Sequence, residues 1–111
     1  MTVISMVLAH GPGLPDGDIT DRLTLTAALT PHGQLDPEQD GGTTLRERPG
    51  QADKGSALVP HEGAWVLQGL HGDDEPLWTI DAPMLRPGEP VILRRPDGEE
   101  LIYRIVALES K

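Results

Sequence analysis

Cysteine is absent from this chain, and so is phenylalanine. Without cysteine there are no disulfide staples, no thiolate nucleophile and no Cys-ligated zinc or iron–sulfur centre. Positive charge is scarce: nine Lys and Arg stand against eighteen Asp and Glu, for a net charge of -9. Such a surface repels phosphate backbones, so no nucleic-acid partner is expected. Long apolar runs are missing too. Residues 2–9 (TVISMVLA) are apolar, but no base precedes them and no small-residue cleavage pattern follows. No run approaches the roughly 18 residues of a membrane-spanning helix. The expectation is a cytoplasmic protein with no membrane partner, and composition sets no oligomeric state.

Long helices are excluded by punctuation. Eleven prolines and thirteen glycines interrupt the chain, and no window sustains an apolar i, i+3, i+4, i+7 stripe. What is present is alternation. Leu23, Leu25, Ala27 and Leu29 fall on one side of an extended segment, with Arg22, Thr24 and Thr26 on the other. That is the period-two mark of a half-buried strand. Residues 2–9 read as a preceding strand, and His10 to Asp18 (HGPGLPDGD) as a turn-rich loop.

The strongest local signal is Arg95-Pro96-Asp97-Gly98-Glu99. Proline presets the first central dihedral, Asp suits the second, and Gly takes the left-handed position. A hairpin over 90–107 follows, pairing Arg94 with Glu100, Leu93 with Leu101 and Val91 with Tyr103. Its apolar face gathers Val91, Leu93, Leu101, Tyr103 and Ile105. Further strands are expected at Trp65-Val66-Leu67 and Leu77-Trp78-Thr79-Ile80, joined by a turn at His71-Gly72-Asp73-Asp74. Residues 31–62 differ. They hold four prolines, six acids and three bases among scattered apolar residues. This stretch reads as a mobile polar excursion, anchored again near Leu58-Val59. The expected fold is all-β: a single domain over 1–111, a small antiparallel barrel or sandwich with a long polar loop.

Chemistry-bearing motifs are sparse. His10, His32, His61 and His71 are dispersed through expected loops, without metal-ligand spacing. Asp16 to Ala27 opens like a calcium loop, but Asp21 stands where the turn needs Gly, and Ala27 where a bidentate Glu belongs. None of Ser5, Ser56 and Ser110 lies in a nucleophile elbow. No catalytic residue, metal ligand or cofactor is therefore assigned. The candidate ligand-binding residues are the chain's aromatics, Trp65, Trp78 and Tyr103. Trp65 and Trp78 lie on neighbouring strands and would meet on one sheet face. They are either plain core or a ligand-facing wall inside a barrel.

From His61 onward the chain resembles the cupin family of small β-barrels. Glu62 is followed by GAWVLQ and then Gly69, similar to the family's Glu-x6-Gly strand. Leu85-Arg86-Pro87-Gly88-Glu89 looks like its Pro-Gly-Asp turn, and Pro96-Asp97-Gly98 like its Pro-x-Gly. The positions matching the family's imidazole ligands hold Ser56, Leu58 and Leu101, so only Glu62, with His61 beside it, carries over. The final hairpin also looks like that of Gre-type transcript-cleavage factors, whose coiled coil has no counterpart here. Three functions stand as expectations. The first is a non-catalytic binding or accessory module for an unidentified protein or small-molecule ligand. The resemblance implies the others: a metal-free small-ligand sensor, or a metal-dependent cupin enzyme.

Overall fold

Alternating side chains, cut by glycine and proline, fold into strands alone. The computed structural model describes residues 1–39, 42–61, 64–69 and 78–110, and among them are eight strands and no helix. They are β1 (Thr2–His10), β2 (Asp18–Ala27), β3 (Gly42–Glu47), β4 (Lys54–His61), β5 (Ala64–Gly69), β6 (Trp78–Asp81), β7 (Pro90–Arg94) and β8 (Glu100–Ser110). Each pairs antiparallel with the next, and β8 returns to β1, so the sheet closes into a barrel with order β1 to β8. Closure leaves no unpaired strand edge. The topology is a plain up-and-down meander, and nothing in it ties the chain to the cupin family.

The final hairpin has the register its turn chemistry implies. Leu93 pairs with Leu101, Val91 with Tyr103 and Arg94 with Glu100. Gly98 adopts φ 93°, and the Arg95 N–H donates to the Glu99 carbonyl at 2.8 Å. All five residues of the expected apolar face are buried. The Arg94–Glu100 ion pair forms on the outer face at 3.7 Å, with both side chains nearly half exposed. Such a pair contributes about 0–1 kcal/mol. Alternation in β2 holds as well: Leu23, Leu25 and Ala27 are buried, and Arg22 is exposed. The expected turn at residues 71–74 lies outside the described residues.

Residues 31–62 require a correction. They are not an excursion from the sheet, because β3 and β4 lie within them and complete the barrel wall. The expectation assumed that a strand in a small barrel must turn apolar side chains inward. In β3 the polarity is reversed. Thr44 is buried at 5% exposure and Arg46 is partly buried, while Leu45 is 38% exposed. Ladder hydrogen bonds come from backbone groups whatever the side chains are, so a polar strand pairs in a closed sheet as well as an apolar one.

The barrel's two ends are unlike. The loops after β2 and β6 meet at one end, where the Leu85 N–H donates to the Gly33 carbonyl at 2.9 Å. Leu35 and Leu85 from those loops are buried in one cluster with Ile4, Leu25, Leu58 and Ile105. That end is filled. Removing a buried leucine of this kind costs about 2–5 kcal/mol. Among the described residues, the other end is not filled, and the polar inward residues lie there.

Candidate functional site

Three described connections meet at the open end: residues 11–17 between β1 and β2, 48–53 between β3 and β4, and 95–99 between β7 and β8. The first is pinned by mutual backbone bonds between Gly11 and Leu14, at 3.0 and 2.9 Å, and by the Gly17 N–H donating to the Leu14 carbonyl at 3.0 Å. Between these loops the lumen opens as a cavity of about 650 Å³, within the span of small-molecule sites. Its walls differ in chemistry. Leu8, Leu67, Leu93 and Leu101 form an apolar side, contributed by β1, β5, β7 and β8. Asp21, Thr44, Arg46, Ser56 and Lys54 form a polar side, contributed by β2, β3 and β4. Spatial order around the barrel equals sequence order, so β3 and β4 stand across the lumen from β7 and β8.

A buried hydrogen-bonded cluster braces this end. Asp21 accepts from Arg46 Nε at 3.2 Å and Nη2 at 2.8 Å, a side-on pairing that uses both carboxylate oxygens. Tyr103, fully buried, donates its hydroxyl to Asp21 Oδ1 at 2.9 Å. Asp21 sits on β2, Arg46 on β3 and Tyr103 on β8, so the cluster spans β1 from side to side. Charge-assisted bonds of this type are the stronger ones. Burial pushes the Tyr103 hydroxyl well above its ordinary value, against Arg46 and with help from Asp21. Burial also works against the Arg46 charge, yet Asp21 and Tyr103 together hold its pKa above the usual value. Arg46 is thus a fixed cation held at the lumen wall.

Trp78 stands among further cations. The charged groups of Arg95, Arg46 and Lys54 lie 5.5, 5.9 and 6.0 Å from its ring centroid, within cation–π range. Arg95 also meets Glu99 at 3.2 Å. With Arg48, four of the chain's nine bases line this one cavity, against Asp18 and Asp21 among its eighteen acids. The described lining therefore opposes the sign of the whole molecule. Asp18, at the rim, accepts from the Thr20 hydroxyl and from the Thr20 N–H, the latter at 2.9 Å, which holds its carboxyl below its ordinary value.

The three aromatic candidates do not form one wall. Trp65 pairs with Ile80 and Leu67 with Trp78, so the tryptophans share the inward face diagonally. Trp78 lines the open cavity, whereas Trp65 lines a separate depression with Gln34, Leu35 and Ala82. Tyr103 is fully buried and acts through Asp21 rather than from the lining. His10 bonds through Nδ1 to the Pro15 carbonyl, at 3.1 Å, and His32 is exposed. Glu62 lies outside the described residues. Among the described residues, no group of three or more histidines and acids is placed to hold a metal ion.

Sequence reasoning missed Asp21, Thr44, Arg46 and Ser56. A signal existed for Asp21, since extending the alternation backward from Leu23 puts it on the buried side. None existed for Arg46, because Leu45 is the residue a pattern would turn inward. Compared with known protein families, curated proteins and solved structures, the chain matches none. Among the described residues, no helix is long and apolar enough to cross a membrane.

Proposed function

We propose that this chain is a non-catalytic binding module whose ligand is a small molecule held in the open end of the barrel. One observation carries the reading: the lumen is packed at one end by Leu35 and Leu85, and at the other it is a cavity whose apolar and polar walls face each other. Barrels of eight strands are just wide enough to be filled by side chains or to hold one small ligand, and this one divides its length between the two. The buried Asp21–Arg46–Tyr103 cluster supports the reading, because it holds a polar wall in one geometry before any ligand arrives. Exposed Arg22, Glu47, Arg94 and Arg104 on the outer face support an aqueous setting, in keeping with a cytoplasmic protein. Against the metal-dependent enzyme alternative stands the chemistry of the cupin-matched positions. Ser56, Leu58 and Leu101 are buried in the wall, and leucine carries no lone pair.

The test is a solution NMR screen of the full chain with matched neutral, anionic and cationic fragments at millimolar concentration. Amide shifts should cluster at Leu8, Leu67, Leu93 and Leu101. Shifts confined to the outer strand faces, or none from any fragment, would defeat the reading.

A further inference from the structure

We propose that the cavity recognises a monocarboxylate on an apolar body, with its anionic end against β3 and β4 and its hydrocarbon on the leucine wall opposite. This rests on the ligand-binding reading above and names the ligand's class. Across the lumen from Leu93 and Leu101 stand Thr44 and Ser56, which pair in register and are 5% and 7% exposed. Each hydroxyl can donate to a carboxylate oxygen. Beside them Arg46 spends Nε and one terminal nitrogen on Asp21. Its fork has five N–H donors, so donors remain for a second acceptor. Such groups are stronger in a partly desolvated lumen than in water.

The alternatives fit less well. A cationic ligand would seek the Trp78 face, where Arg46, Lys54 and Arg95 already lie within 6.0 Å of the ring centroid. A neutral ligand would displace water from the polar wall and offer the spare Arg46 donors no charged acceptor. A dianion would meet Asp21, which already balances Arg46, and Asp18 at the rim. The net charge of -9 acts from a distance, and physiological salt screens it beyond about 8 Å, so the local lining decides.

The experiment titrates the full chain with octanoate, octanamide, octylammonium and octyl phosphate, which share one tail, using amide shifts and calorimetry. Octanoate should bind about tenfold more tightly than octanamide, a factor that matches one charge-assisted hydrogen bond. Arg46→Met should abolish that preference. If Arg46→Met fails to fold, the double variant Thr44→Val/Arg48→Gln decides. It should weaken octanoate about fivefold and leave octanamide within about twofold. Octanamide, octylammonium or octyl phosphate binding the mouth as tightly as octanoate would overturn the monocarboxylate assignment and leave the ligand-binding reading standing. So would octanoate binding that ignores the double variant. Failure of all four probes to shift the mouth amides would overturn both.

Discussion

Replacing Asp21 by alanine removes the shared acceptor of two buried donors. In the parent, the Asp21 carboxylate is 5% exposed and the Arg46 side chain 15%, and the Tyr103 hydroxyl bonds to the same carboxylate. Breaking a buried ion pair from one side costs about 3–5 kcal/mol, because the remaining charge is stranded. Arg46 borders the open cavity, so water can reach part of it, which favours the lower end, about 3 kcal/mol. For a domain whose whole stability is about 5–15 kcal/mol, that is a large share. The thermal midpoint should fall by roughly 10–20 °C. Removing both charges is the informative control. In Asp21→Ala/Arg46→Met no charge is stranded, so at least about 1.5 kcal/mol should return. Urea unfolding followed by tryptophan fluorescence and circular dichroism measures both variants. A single variant within about 1 kcal/mol of the parent, or a double variant less stable than the single one, would refute the reasoning.

Tyr103 is the chain's only tyrosine, so phenolate absorbance reports it alone. Its folded pKa is raised. The unfolded chain therefore loses that proton first: stability holds below about pH 10 and declines above it. Phenolate should appear together with unfolding, and Tyr103→Phe should remove that part of the alkaline loss. Titration near pH 10 in an intact barrel would contradict the burial argument. Gly17 and Gly13 form a matched pair, at φ 76° and 73°. A Cβ on Gly17 would lie 2.2 Å from the Leu8 carbonyl oxygen, whereas one on Gly13 meets nothing within 4 Å. Gly13→Ala should cost about 1–2 kcal/mol for its dihedral alone, and Gly17→Ala clearly more. Equal losses in thermal unfolding would show that the close approach is not what requires glycine at Gly17.

The legible parts of the fold are those where local chemistry and burial agree. Around Pro96-Asp97-Gly98, the turn residues, the alternation of both arms and the Arg94–Glu100 pairing all imply one register, and that register forms. In β2 the same agreement extends from Leu23 to Ala27. It fails over β3, where a search for inward leucines selects Leu45 and finds it on the outside. Two isolated aromatics also mislead. Neighbouring strands do bring Trp65 and Trp78 to one face, but a diagonal offset is enough to send them to different depressions.

The place where the pattern fails is also where the cavity lies, and the proposed ligand-binding reading gives the two facts one cause. A strand that only supports a core turns apolar side chains inward, because burial drives its packing. Inward Thr44, Arg46 and Ser56 forgo that gain on two adjacent strands. The barrel recovers part of it through the Asp21–Arg46–Tyr103 bonds and through Leu35 and Leu85 at the far end. Local rules are broken in folded proteins chiefly where function needs it. The leucines on the opposite wall keep to the rule, so the departure is one-sided, and under the proposed ligand-binding reading that asymmetry would orient an amphipathic guest. An all-apolar lumen of the same volume would not set which end of such a guest enters first.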